Sequence, residues 1–443
     1  MNKISKARFE ALSYARAPLV KYMSREVEWY SSETNNILGV ILFDYADSDY
    51  AIIVLGRDEV GVFRAISWEV SIVTLDNARE ILEERINLFD HDGDDEFPQG
   101  IANRNKNLIF SPLVQEEKMP SDYKTLVNSE LFSPAREIIQ EAAYSFEDPD
   151  GNYIEQFQSS GFNSRLWELY LYAFFHEMDF LINRDFNAPD YIIEKRDARL
   201  CIEAVTVNPS QHNIDEPEPT NDEEKIRLLS DYMPIKYGSP LYTKLKKKYW
   251  EKDHVSGHPL LIAIHDYHQK DSMMWSRPAL ETYLYGAKRT YSISPQNTIE
   301  QHVEIIAEHR WNDKVIPSNF FAQPDSENIS AIIHSNQATI GKFLRMGFLA
   351  EFGRKDIEII FKGLAMYDNK RLVEFENAVV PYEYEEKWKD SITIYHNPNA
   401  IHPLDHTLFP NVAHVFFADG IFSSIKPFFY PIYGRTFYRA KEA

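Results

Sequence analysis

The sequence lacks most of the features that assign a protein quickly to a class, and each gap excludes something. It has one cysteine, Cys201, so no disulfide framework can form and a reducing compartment is expected. No apolar run approaches the ~20 residues needed to cross a bilayer, and no charged-then-apolar leader opens the chain. Together these absences lead to the expectation of a cytoplasmic, soluble protein with no membrane partner. Internal repeats and low-complexity tracts are missing. Gly341-Lys342 lacks the preceding glycine and following Ser or Thr of a phosphate loop, and no Gly-x-Ser-x-Gly elbow occurs. The acidic segments at 91–96 and 148–152 do not complete a calcium loop and read as solvated turns. His396, His402, His406 and His414 have no cysteine nearby, and Pro403 spoils a one-face helical spacing, so a zinc site is not expected. Basic residues are also in deficit: Lys and Arg number 47 against 68 Asp and Glu, a net charge of −21. That excludes a generally adhesive nucleic-acid binder but not a local basic groove, because phosphates are met by particular side chains.

What is present is globular: 443 residues, 44% hydrophobic and 14% aromatic, enough for two or three domains. The patterning divides the chain into an N-terminal α+β domain at 1–130, a core at 131–270 and a mixed C-terminal α+β extension at 271–443. In the first, apolar runs at 40–43, 50–55 and 62–68 suit an antiparallel meander, followed by an amphipathic helix at 76–89. In the last, 297–309 reads as a helix, and 329–333, 357–361 and 393–395 read as strands. The aromatic C-terminus (Phe416, Phe417, Phe422, Phe428, Phe429, Tyr430) reads as packed core.

The informative stretch is 164–207. From Arg165 to Phe175 the sequence is apolar almost all round a helix, with Glu168 set inside it, so the helix expected at 164–180 is buried. A buried carboxylate needs a cation or a task; the structural alternative is an ion pair with Arg165, one turn back. Short strands follow at 179–184, 190–193 and 200–207. Asp190 opens the second of these after Pro189, where a turn role is the ordinary reading, and Glu203 sits in the middle of the third. In the third strand Cys201, Glu203, Val205 and Val207 share a face, and a hairpin can set Asp190 beside Glu203. Two carboxylates and the backbone carbonyl of Ala204 suit Mg²⁺, or Mn²⁺, which favours hard oxygen ligands. After a polar, acidic excursion at 211–224, Ser239-Pro240 reads as the cap and first position of a helix running to 252. Its face of Leu241, Leu245 and Tyr249 is bordered by Lys244 and Lys248, while Lys247 points away. A buried strand follows at 259–266.

This order, αβββαβ around a mixed sheet with Pro189-Asp190 and Glu203-Ala204-Val205, resembles the PD-(D/E)XK (restriction-endonuclease-like) nuclease superfamily over roughly 163–266, with Glu168 matching the acid often found on the first helix. The resemblance implies Mg²⁺-dependent hydrolysis of phosphodiester bonds, usually of DNA, in restriction or defence. One position departs: the family's lysine two residues after the Glu is Val205 here. Loss of such a stabiliser typically costs ~2.7–4 kcal/mol, about 10²–10³ in rate. Lys244 is the expected replacement cation, with Lys248 and Lys195 behind it; the bland reading of the lysine run is a solvated face. The expected catalytic set is therefore Glu168, Asp190, Glu203 and Lys244, with metal held by Asp190, Glu203 and Ala204. Alternatives are a catalytically silent nuclease-like module that binds nucleic acid or a protein, and a hydrolase using two carboxylates on another substrate such as a glycoside. A homo-oligomer is compatible with these features.

Overall fold

The computed structural model describes residues 1–91, 96–100, 106–210, 216–293, 299–368 and 371–441. Most of the acidic segment at 91–96, and the first residues of the excursion at 211–224, lie outside them.

The N-terminal strands Asn2–Lys3, Ser24–Ser31, Ile37–Asp44, Tyr50–Arg57 and Phe63–Ile72 form one antiparallel sheet in chain order, with the helix Leu75–His91 on one face. The alternation in Ile37–Asp44 sends Ile37 and Ile41 under that helix, against Leu82 and Ile86. Leu38, Val40 and Leu42 go the other way, into the main core. Gly39 makes this close approach tolerable, since a Cβ there would lie 2.8 Å from both Leu82 and Ile86. The expected meander and helix are therefore present, with two further strands before them.

The centre is a mixed eight-stranded sheet, and the protein is of mixed α+β class. In spatial order its strands are Ile421–Ile425, Ala413–Ala418, Thr393–His396, Ala331–His334, Leu260–Asp266, Ala198–Val207, Tyr191–Lys195 and Leu181–Asn183. The three at Ala198, Leu260 and Ala331 run parallel to one another. Leu260–Asp266 is buried at every position, as a parallel strand covered on both faces must be. One cover is the helix Phe162–Glu177, buried continuously from Leu166 to Phe175; its Trp167 indole N–H donates to the Ala263 carbonyl at 3.1 Å. On the other face Leu241 and Leu245 of the helix Met233–Leu245 pack with Ile192, Cys201 and Ile262. The order helix, three strands, helix, strand is thus realised around this sheet. The residues after 271 add four strands to the same sheet, and a separate three-stranded sheet is built from Ile357–Tyr367, Arg371–Ala378 and Phe429–Ala440.

Three expectations are corrected. The helix placed at 239–252 starts earlier and ends earlier: Met233–Leu245 contains Pro240 in its interior and continues from a wide π turn at Leu228–Tyr232. Met233, Ile235, Tyr237 and Gly238 are buried there, so tertiary packing outweighs the local stop that Pro240 signals. The helix at 297–309 is instead two strands, Ile299–Ile305 paired with Ala287–Ile293 and Glu308–Trp311 paired with Lys314–Pro317; 297 and 298 lie outside the described residues. The period of two is visible in Ile299-Glu300-Gln301-His302-Val303-Glu304-Ile305, where apolar residues hold only odd positions. The C-terminal aromatics divide: Phe422 and Tyr430 are core, while Phe428 is exposed and edges against Tyr367. Among the described residues, no helix is long and apolar enough to cross a membrane.

Candidate active site

The hairpin of Tyr191–Lys195 and Ala198–Val207 pairs Tyr191 with Ile202 and Ile192 with Cys201. One step further along this antiparallel ladder, Asp190 stands opposite Glu203, on the face covered by Met233–Leu245. The Ala204 backbone N–H donates to Asp190 Oδ2 at 2.7 Å, which fixes one carboxylate oxygen against the neighbouring strand. Asp190 is half-buried, and its pKa is pushed up to about 8, first by burial, then by the charges of Glu203 and Glu168; the Ala204 N–H and Arg184 act against the rise. Like charges at close range on one carboxyl are what a shared cation relieves.

Glu203 is 4% exposed. The Lys244 Nζ and the Tyr249 hydroxyl both donate to its Oε1, each at 2.5 Å, while Oε2 is buried with no partner among the described residues. Burial and the Glu203 charge raise the Tyr249 phenol, so it remains a donor at any ordinary pH. Lys244 arrives from the helix that crosses the sheet face, and its side chain is 19% exposed. Val205 is partly buried among apolar neighbours. The cation beside Glu203 thus comes from the flanking helix and not from the strand. Lys248 is turned away by its left-handed backbone (φ 48°) and lies near Glu251 and Asp325 at 3.6 and 3.8 Å. Lys195 donates to the Met178 carbonyl at 2.7 Å. Neither makes an ion pair with the acids.

Glu168 belongs to a neighbouring network. Its carboxylate takes Arg165 at 2.8 Å and Arg184 at 3.5 Å, and its backbone carbonyl accepts from the Tyr191 hydroxyl at 2.6 Å. Burial raises its pKa and the two guanidiniums oppose the rise. Its influence on Asp190 is electrostatic, through the field of this buried pair. The structure therefore brings together Asp190, Glu203, Lys244 and the Ala204 backbone, and commits the Glu168 side chain to ion pairs.

Sequence reasoning missed Tyr249 and Arg184. The pattern places Tyr249 on an apolar face, but a buried tyrosine hydroxyl needs a partner, and Glu203 supplies it. Arg184 carries no local signal; only the fold sets its guanidinium 3.9 Å from the Phe146 ring centre and 4.6 Å from that of Tyr191.

The donor set fits a hard cation. Glu203 Oε2 is a buried acceptor lacking a donor, Asp190 has one oxygen beyond the Ala204 bond, and Mg²⁺ commonly takes one or two carboxylates and keeps several waters. No cluster of three or more His, Cys, Asp or Glu side chains suited to a metal occurs among the described residues. His396 and His414 instead hydrogen-bond to each other at 2.9 Å. A second polar cluster lies at the C-terminal ends of the parallel strands Leu260–Asp266 and Ala331–His334. There His268 Nδ1 meets Asp266 Oδ1 at 2.7 Å, and both ring nitrogens of His334 are buried without partners among the described residues. Comparison with protein-family models, with curated proteins and with solved structures gave no match in any of the three.

Proposed function

We propose that this protein is a divalent-metal-dependent nuclease of PD-(D/E)XK type that hydrolyses phosphodiester bonds of DNA, in restriction or defence. The observation that carries the reading is the opposition of Asp190 and Glu203 on paired strands, with Lys244 delivered to the same carboxylate from the helix above. Asp190, Glu203 Oε2 and the Ala204 carbonyl would hold Mg²⁺ or Mn²⁺. Such an ion supplies an activated water and offsets charge on the phosphate. Holding the ion would require Asp190, whose pKa is pushed up to about 8, to release its proton to solvent. Lys244, paired with Glu203, adds positive charge beside the acids, where it can stabilise the charge developing on a phosphate. Tyr249 orients Glu203 so that Oε1 is occupied and Oε2 stays open.

The test is incubation of linear and circular DNA with and without Mg²⁺ or Mn²⁺, using wild type and Glu203→Ala. Metal-dependent cleavage by wild type, lost in Glu203→Ala, is expected. A second reading is favoured by Val205 and by the double engagement of Glu203 Oε1: a silent module in which Lys244 and Tyr249 stand where an ion would compete. Absence of cleavage with every metal, together with absence of divalent-ion uptake, would select it.

A further inference from the structure

The segments that carry the acidic pair also hold a partly exposed aromatic stack, Phe186 on His254. Phe186 is 39% exposed, yet its ring is stacked on that of His254, with centroids 4.0 Å apart and planes within 10°. His254 Nε2 is in turn hydrogen-bonded to the Ala188 carbonyl at 2.9 Å, two residues before Asp190. His254 also follows closely on Tyr249, the residue that grips Glu203, and Val255 beside it is fully buried. The stack is therefore tied to the segments bearing both acids, and Phe186 keeps part of its surface open to solvent.

We propose that the Phe186–His254 stack is a base-stacking platform, and that the DNA brought to the acidic pair is single-stranded. The proposal rests on the nuclease reading for what happens after binding, and on the platform alone for the binding itself. An aromatic face accepts only a base whose own face is free; in duplex DNA neighbouring base pairs cover it. With a net charge of −21, and with Lys244 already engaged by Glu203, the chain offers little long-range attraction to any nucleic acid, single-stranded or duplex, so binding must come from short-range contacts such as stacking. Stacking of a base on an aromatic side chain contributes ~1–3 kcal/mol and is tolerant of base sequence, since every base has a π-face.

The experiment measures binding of a short labelled single strand, and of its matching duplex, in EDTA so that cleavage does not intervene, over a salt series. Wild type, Phe186→Ala and Phe186→Trp are compared, with thermal midpoints as the folding control; an exposed ring should leave these unchanged. Wild type is expected to prefer the single strand with a shallow salt dependence. Phe186→Ala should weaken that binding about 5- to 150-fold, the range that ~1–3 kcal/mol gives at tenfold per 1.4 kcal/mol, and Phe186→Trp should retain it. Equal affinity of Phe186→Ala and wild type, preference for duplex, or no binding of either DNA would each overturn the proposal. Its failure is separable from failure of the nuclease reading. Cleavage that ignores Phe186 removes the platform and keeps the nuclease, whereas Phe186-dependent binding without cleavage in any metal does the reverse.

Discussion

Replacing Lys244 by methionine removes a charge while keeping most of the side-chain volume, and its consequences separate a working site from a decorated surface. In the folded protein the Lys244 ammonium sits 2.5 Å from Glu203 Oε1, with the two side chains 19% and 5% exposed. Breaking such a buried pair typically costs ~3–5 kcal/mol, because the remaining charge is left unpaired. Tyr249 still donates to the same oxygen, so a loss of about 2–3 kcal/mol in unfolding free energy is expected, below the ~3–5 kcal/mol of a pair left wholly without a donor. The sequence alone gives a different answer, since an exposed lysine truncation costs within ~0.5 kcal/mol; burial of the pair makes the difference. Denaturant titration of metal-free protein at neutral pH measures it, with exposed Lys247→Ala as control. Added Mg²⁺ should restore stability to Lys244→Met more than it stabilises wild type, because the ion meets a carboxylate freed from its competitor. Single-turnover cleavage should still fall by about 10²–10³. Equal stability of Lys244→Met and Lys247→Ala, with no differential effect of Mg²⁺, would refute the argument that Lys244 neutralises Glu203.

Asp190→Asn should abolish most divalent-ion uptake, measured by calorimetry. In wild type the uptake should release a proton below pH about 8, seen as a dependence of the apparent enthalpy on buffer ionisation. The folded pKa of Asp190 is raised, so the metal-free protein holds a proton that the unfolded chain loses, and stability falls as pH rises from about 4 to 8. Asp190→Asn should flatten that fall. Glu168→Gln should lower unfolding free energy by ~3–5 kcal/mol, since Arg165 and Arg184 lose a buried partner. Metal affinity should change little; the opposite pattern, normal stability with lost metal, would return Glu168 to the metal site. His334 is neutral in the folded protein, its pKa driven far down by burial and then by the neighbouring His265 and Arg277, so acid favours the unfolded chain below pH ~6.5. His334→Leu should therefore gain about 2 kcal/mol on wild type between pH 7 and 5, and parallel pH–stability curves would contradict this.

The resemblance in the order of elements and the acids at Asp190 and Glu203 were legible because they follow from local pattern. An all-round apolar helix, two short strands and a fully apolar strand each have a signature at short range, and alternation alone fixes that Glu203 and Cys201 share a face. The errors were also local in origin. Pro240 carries a strong stop signal, and only the burial of Met233, Ile235 and Tyr237 overrides it. The alternation in 299–305 competes with the helical pattern of 297–309, and the strand pairing with Ala287–Ile293 decides for the period of two.

What the sequence by itself determined is the secondary structure that places the acids: a hairpin whose period of two puts Asp190 and Glu203 side by side. What the tertiary structure alone decided is their partners. The choice of Lys244 over Lys248 depends on a helix end whose backbone turns left-handed at Lys248. The assignment of Tyr249 to Glu203, and of Arg184 to Glu168, depends on contacts between residues 46 and 16 positions apart. The eight-stranded sheet likewise draws four of its strands from residues beyond 330. The physical reason is range: backbone periodicity acts over a few residues, whereas a buried charge is settled by whatever counter-charge the folded chain brings within hydrogen-bonding distance.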